Sequence, residues 1–449
     1  MINDILFKKA KRIHFIGIGG ISMSGLAKIL LQSGKIISGS DIKKTYITDE
    51  LVRRGVQINI KHRAKAVDGA DLVVYTGAIS EKNVEYKRAI ALGIPVLERS
   101  KLLGLISSKY TTIIAIAGTH GKTTTTAMLA KVLIDAGYNP TVHLGGEISF
   151  LDGNVRMGGK KYFVTEACEY RRSFLEIKPT YSLILNVEAE HLDTYKTFTN
   201  VKKAFKQFVM NTRELVVYNK NYILDTGRPF LSFDLDKPSD FFVKNLRIKN
   251  GCYLFDVYKK EIFFKSFELG VVGKHNVLNA LAVITICDAL GVDKNIICNS
   301  LKSFTGVRRR FEKLGKFNNA EVVIDYAHHP TEIMKLIEAV RGYYDGELVV
   351  IFQPHTYSRT AMAFDEFVNV LGQNAIDKLI LLPTYSARET QKEGKTSLDL
   401  FKALRLRCDV EYHTKASIYH TLNHLSMCNT LLLFVGAGNI EDIARKLIN

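Results

Sequence analysis

No apolar run in this 449-residue chain reaches the roughly 18 to 20 residues that cross a bilayer, which excludes a helical membrane protein. The opening stretch Met1-Ile-Asn-Asp-Ile-Leu-Phe-Lys-Lys lacks the order of a signal peptide, so a cytoplasmic location with no membrane partner is expected. The six cysteines (168, 252, 287, 298, 408 and 428) form no C-x-x-C pair. That scatter suits reduced thiols rather than a disulfide frame or a zinc site. Low-complexity segments and short tandem repeats are absent as well. Acidic residues are in deficit, 45 against 62 Lys and Arg, for a net charge of +17. The basic residues are spread along the chain rather than gathered in a tail or one helix, so no nucleic-acid partner is expected, and the balance equally suits polyanionic substrates such as nucleotides.

What is present is an ordinary globular composition, 47% hydrophobic, with a length that suggests about three domains. From Lys11 onward, short β-branched runs alternate with helical patterns, a rhythm that predicts parallel sheets flanked by helices. The fold class expected is α/β with three domains. Residues 1–108 read as Rossmann-like and residues 109–305 as a central phosphate-loop ATPase domain with an antiparallel insertion between about 229 and 268. Residues 306–449 read as a second Rossmann-like domain. Asn250-Gly251 is the turn signal inside the insertion.

Residues 118–126, GTHGKTTTT, follow the apolar run TTIIAIA and make ATP the first ligand to consider. Gly118 and Gly121 let backbone N–H groups approach phosphate oxygens, and the helix that follows offers its positive end. Lys122 would reach the β and γ phosphates and Thr123 would hold Mg²⁺, with Thr119, His120 and Thr124 completing the loop. The spacing is shorter than G-x-x-x-x-G-K-[ST], since Ile116 stands where that pattern has glycine. A second glycine loop, Gly17-Ile-Gly19-Gly20, closes the first strand, and Asp41 ends the second strand in imitation of a dinucleotide site. Ser22 stands where the third glycine would be, which leaves open NAD(P), a structural turn, or diphosphate of another nucleotide lined by Ser22, Ser24 and Gly25.

Glu166 ends an apolar strand, a position from which a carboxylate meets Mg²⁺. His191, just beyond the strand ending Asn186-Val187, is a second metal ligand or a surface loop histidine. Cys168 has no basic activator in the sequence and reads as packing. His275, Asn276 and Asn279 open a long apolar helix; the two amides share one face and suit a base or ribose, with capping the plain alternative for Asn276. Arg308-Arg309-Arg310 is a solvated run or a source of a phosphate-binding arginine. Asp325-Tyr326-Ala-His328-His329-Pro330 follows a strand, and the histidine pair suits substrate contact better than metal.

Together, GIGGISMSGLA, SGSD, GTHGKTTTT, EACEYRRSFL, NVEAEHLDTY, GKHNVLNALA, RRRFE, DYAHHPTE, QPHTYSRT, YSARE and GAGNI resemble the motifs of the Mur ligases over nearly the whole chain. DYAHHPTE and QPHTYSRT carry most of the specificity, and EACEYRRSFL and SARE are similar to the Gram-positive type. The resemblance implies a peptidoglycan enzyme whose three domains bind UDP-sugar, ATP and amino acid. Its substrates would be UDP-N-acetylmuramate and L-alanine, its cofactors ATP and Mg²⁺, and its state a monomer or weak homodimer. It places Gly17, Gly19, Gly20, Ser22, Ser24 and Asp41 on the UDP-sugar. Gly118 to Thr124 would take the ATP phosphates, and Thr123, Glu166 and His191 the metals. His275, Asn276, Asn279 and Asp325 would lie near the adenosine, Tyr326, His355 and Arg359 at the amino acid, and Lys122, His328, Arg310 and Arg359 at the reaction centre. The chemistry implied is carboxylate attack on the γ-phosphate, then displacement of phosphate from the acyl phosphate by an amine, with Arg359 binding the alanine carboxylate and domain closure excluding water. Thr356, Glu190 and Asn439 depart from the usual arginine, aspartate and aspartate. Lys206 lies roughly where sister ligases carry a carbamylated lysine. Rival readings are a ligase that attaches a recycled peptide to the same sugar, an NAD-dependent oxidoreductase, and a nucleic-acid-stimulated ATPase.

Overall fold

The computed structural model describes residues 2–151, 153–249, 251–373, 375–387, 389, 391, 395–424 and 429–448. Three sheets form in succession, of five, ten and six strands, from residues 12–98, 112–268 and 312–435. By compactness the chain divides into two units, residues 1–244, 256–267 and 278–302 in one and 245–255, 268–277 and 303–449 in the other. The first unit therefore holds the N-terminal sheet together with most of the central one. No helix among the described residues is long and apolar enough to cross a membrane.

In the first unit, strand Arg12–Ile16 is the middle of an all-parallel sheet, flanked by Ile36–Asp41 and Leu72–Tyr75. Ile13, Phe15 and Ile16 are buried, as expected for a parallel strand covered by helices on both faces. The helix Ile21–Gln32 follows at once, so the glycine loop lies at the carboxyl end of the strand, the edge at which such sheets bind ligands.

The second sheet is built around Thr112–Ala117, which pairs parallel with Tyr162–Glu166 on one side and Tyr181–Ile184 on the other. Two strands with no marked pattern, Thr141–Ile148 and Gly153–Arg156, extend it beyond Tyr162–Glu166; they pair antiparallel with each other. The aromatic insertion opens with one further parallel strand, Phe230–Asp234, paired with both Leu215–Asn219 and Phe241–Lys249. Its chain turns on the Asp234 carboxylate, which accepts the N–H groups of Asp236 and Lys237, each at 2.9 Å. Cys252–Lys259 and Ile262–Glu268 then follow as adjacent strands with short connections. Asn250 of the expected turn lies outside the described residues.

The N-terminal and central sheets are joined by direct contacts. Asn154 Nδ2 donates to Ile21 O at 2.6 Å, and the Ser22 hydroxyl lies 3.2 Å from His143 Nε2. Gly104, on the helix Arg99–Ser107, faces the backbone of Glu176 so closely that a Cβ would stand 2.4 Å from its carbonyl oxygen.

In the second unit, Ala320–Asp325, Thr430–Val435, Glu347–Phe352, Lys378–Leu381 and Val410–Tyr412 are successive parallel strands, and Glu312–Phe317 adds an antiparallel edge beside Ala320–Asp325. The strands Val322–Ile324 and Leu431–Val435 are wholly buried. Asp325 and Phe352 end their strands at the same edge and launch the two histidine-bearing loops.

Replacing a mid-helix glycine by alanine ordinarily stabilises a helix by about 1 kcal/mol. At Gly104 the contact with Glu176 should win, so Gly104→Ala is expected to lower stability by about 1–3 kcal/mol in denaturant titrations. A gain in stability would show that the packing yields at no cost.

Candidate active site

The phosphate loop is formed where the buried strand Thr112–Ala117 gives way to the helix Lys122–Asp135. Gly118 and Gly121 carry φ of +151° and +84°, conformations that a side chain would strain. Asn186 clamps the loop: its Oδ1 accepts the His120 N–H at 2.8 Å and its Nδ2 donates to His120 O at 3.1 Å. Its own carbonyl accepts from Thr119 N at 3.3 Å, and the Thr119 hydroxyl accepts from Glu188 N at 3.0 Å. Asn279 packs against the loop, its Oδ1 2.6 Å from where a Gly121 Cβ would lie. Thr123 and Thr124 stand half-buried in the first turn of the helix.

Lys122 Nζ donates to Gly118 O, to Thr119 O at 2.9 Å and to the Glu169 carboxylate at 2.9 Å. Burial disfavours its charge, yet Glu169 overrides this and holds the ammonium above the usual lysine value. The Glu169 side chain is only 3% exposed and also faces His191, whose Nε2 lies 3.6 Å from Oε1. Glu190 joins them: one ligand atom from each of Glu169, Glu190 and His191 falls within 4.8 Å of the others. Among the described residues this is the group suited to a cation. Glu166, singled out from the sequence, lies outside it; its Oε1 accepts the Gly145 N–H at 2.6 Å. The carboxylate that bonds Lys122 and faces His191 is Glu169, three residues later, while Glu166 also adds to the field that keeps Lys122 charged. EACEYRRSFL offers two glutamates, and a strand pattern marks only the first. Cys168 has its thiol pKa raised, by burial first, as suits a packing residue. Lys206 is exposed on the helix Phe198–Met210.

At the other glycine loop, Gly17 has φ +82° and the Gly19 N–H is taken by Asp41 Oδ2 at 2.9 Å, so Asp41 braces the loop. Gly20 caps the helix with no side-chain bond, and the Ser24 hydroxyl closes back on Ile21 O at 2.8 Å. Ser22 is held between two residues the sequence did not mark, His143 and Arg99, whose Nη1 donates to Ser22 Oγ at 3.0 Å. His143 is 3% exposed and its pKa is pushed down to about 4 by burial, with Arg99 adding to the effect.

The second unit gathers its own set. Asp325 accepts the N–H groups of Phe311 and Ala327, each at 2.7 Å, and burial raises its pKa. Arg308 is tied to Glu441 and Arg309 to the carbonyls of Gly436 and Gly438, while Arg310 holds its guanidinium 5.2 Å from the Tyr326 ring. Arg309 also lies over the Tyr326 ring, at 4.7 Å, so of the three only Arg308 is engaged wholly away from that ring in the contacts described. The His328 ring lies 5.4 Å from Tyr326 and 5.8 Å from His355, and Arg359 Nη1 donates to His355 Nδ1 at 3.1 Å. Both histidines have pKa values lowered to about 4 by burial, with the Arg359 charge contributing. Thr356, at φ +64°, caps the helix that presents Arg359 by accepting its N–H. His275 is exposed and the Asn276 amide bonds back to Val272 O at 2.7 Å. Arg388 of the SARE motif lies outside the described residues.

Residues 12–111 match the Mur ligase family catalytic domain, 116–287 the Mur ligase middle domain, and 309–438 the Mur ligase glutamate ligase domain. The UDP-N-acetylmuramate–L-alanine ligase of Caldanaerobacter subterraneus subsp. tengcongensis is 44% identical over 99% of both chains. The chain belongs to the Mur ligase family. Among solved structures, this Mur ligase is similar to the UDP-N-acetylmuramate-alanine ligase MurC of Thermotoga maritima, with a TM-score of 0.86, 32% identity, and 97% of this chain and 98% of that one covered. The murein peptide ligase of Psychrobacter arcticus shares the fold at a TM-score of 0.73 and 22% identity, over 98% of each chain. Mur ligases are ATP-dependent ligases of three α/β domains.

His143 titrates near 6.5 when unfolded and about 4 when folded, so its stabilising contribution is present above pH 6.5 and is lost as pH falls through 4. Urea denaturation across that window should show the stability of the wild type falling more steeply than that of His143→Gln. Parallel curves for the two proteins would assign the fall to other groups.

Proposed function

We propose that this Mur ligase joins L-alanine to the lactyl carboxylate of UDP-N-acetylmuramate in the cytoplasm, an ATP-dependent, ADP-forming step of peptidoglycan synthesis. The observation that carries the substrate assignment is the full-length kinship, 44% identity to a relative named for this reaction, against 22% and 28% for two peptide ligases of known structure. The geometry is consistent with it: a phosphate loop with a charged lysine beside a carboxylate and imidazole group, and a separate glycine loop at a parallel sheet edge.

The carboxylate of the acceptor is a weak electrophile, and attack of its oxygen on the γ-phosphate turns it into an acyl phosphate with ADP as leaving group. The alanine nitrogen then adds to the acyl carbon and phosphate departs. Lys122 stabilises charge on the transferring phosphoryl group, with Arg310 as a second cation. The loop N–H groups that Asn186 keeps in place orient the phosphate chain. Arg359 pairs with the alanine carboxylate; by donating to His355 Nδ1 it also places that ring's proton, when neutral, on Nε2. His328, kept neutral at physiological pH, is suited to accept a hydrogen bond from the alanine nitrogen and so to orient it; a pKa of about 4 makes it too weak a base to take the ammonium proton on its own.

Glu169, Glu190 and His191 suit Mg²⁺ or Mn²⁺ in donor chemistry, two carboxylates and an imidazole with ligand atoms within 4.8 Å of one another; two ligands of an ion with bonds of about 2.1 Å stand at most about 4.2 Å apart, so the three side chains would draw slightly together around it. Together with Thr123 they would hold it, and the ion would supply charge neutralisation between phosphate oxygens.

Two experiments test the reading. ADP release by the wild type should require ATP, Mg²⁺, UDP-N-acetylmuramate and L-alanine together, and Lys122→Ala should lower it by about 100-fold or more. Release that needs a peptide in place of alanine would transfer the assignment to the peptide ligase. Separately, Mn²⁺ binding followed by electron paramagnetic resonance should weaken by about 10-fold or more in Glu169→Gln and in His191→Asn, and less in Glu166→Gln. A larger loss in Glu166→Gln would restore Glu166 as the principal ligand.

A further inference from the structure

We infer that Arg99 is a substrate-positioning residue that binds the diphosphate of the UDP-sugar against the first turn of the helix Ile21–Gln32. The inference rests on reading the Gly17–Gly20 loop as the UDP-sugar site and adds to it a residue that no motif marks.

Arg99 opens the helix Arg99–Ser107, directly after the edge strand Val96–Glu98. From there its guanidinium reaches across to the glycine loop and donates to Ser22 Oγ at 3.0 Å. One neutral hydroxyl leaves most of the donors of a guanidinium unused. The side chain is half-buried, and among the described residues it has no carboxylate partner. The Asp41 carboxylate, which lies on the same loop, is turned instead onto the N–H groups of Gly19 and Ile42, at 2.9 Å and 2.7 Å. The helix that Arg99 faces begins at Gly20 with no side-chain cap, so its first-turn N–H groups add positive potential at the same place. His143, the other neighbour of Ser22, stays neutral beside this charge and supplies no compensation. A half-buried guanidinium bonded to one neutral hydroxyl, beside a helix N-terminus whose neighbouring carboxylate is occupied by backbone N–H groups, keeps donors available for an anion. A diphosphate presents oxygens to both at once.

The test is calorimetric binding of UDP-N-acetylmuramate, UDP and uridine to the full chain without ATP, together with steady-state kinetics, for wild type, Arg99→Ala and Arg99→Lys. Arg99→Ala should weaken UDP and UDP-N-acetylmuramate by about 10- to 100-fold, the range for one charge-assisted hydrogen-bonded contact, and leave uridine unchanged. KM for the UDP-sugar should rise to match, with KM for ATP and alanine within about 2-fold of wild type, and Arg99→Lys should recover part of the loss. Thermal melts of the variants report whether the fold is kept. Equal losses for uridine and UDP, a matching rise in KM for ATP, or unchanged UDP binding in a folded Arg99→Ala would each overturn the role. If the wild type itself fails to bind UDP, the reading of the glycine loop falls, and Arg99 with it.

Discussion

The contact on which the central site depends is the one between Lys122 and Glu169. A lysine placed to meet phosphates is surrounded by backbone carbonyls and apolar strands, and without a counter-charge its burial would favour the neutral amine. Glu169 keeps it charged. The same carboxylate faces His191, so one nearly buried group is shared between the cation of the chain and the place suited to a metal cation. Asn186 makes this tight arrangement possible by fixing the loop backbone through both ends of its amide.

Much of the fold was legible in the sequence because parallel strands buried on both faces are written as continuous β-branched runs. TTIIAIA, ELVVIFQP and TLLLFVGAG are such runs, and each became a central strand. The strands that escaped notice lie at or near sheet edges. Glu312–Phe317 reads EKLGKF, too charged to stand out, as an edge that resists further pairing tends to be. Gly153–Arg156 likewise carries no apolar period. In the aromatic insertion, composition announced strands but not their direction, because Phe and Tyr fit a parallel neighbour as well as an antiparallel one.

Among functional residues, those in glycine loops and histidine clusters were visible because their residue types are costly or unusual where they stand. Glu169 was not distinguished from Glu166, since three residues of sequence say nothing about which carboxylate the chain turns inward. Arg99 and His143 were invisible for another reason. Each lies far along the chain from Ser22: the folding of the N-terminal sheet brings Arg99 to it, and the docking of that sheet on the central one brings His143. Arg308 illustrates the converse: it shares a run with Arg310, yet its guanidinium is taken up by Glu441.

The close seam between the first two sheets has a bearing on how such chains can be recombined. A side chain at Gly25 would collide with Asn154, Val155 and His143, and one at Gly104 with Glu176, so the small residues on one side are matched to particular atoms on the other. Residues on the two sides of this seam are therefore matched, each limiting the substitutions that the other accommodates. A chimera that exchanges the N-terminal segment between distant homologues would inherit half of that fit, whereas a crossover near residue 303 transplants the seam whole.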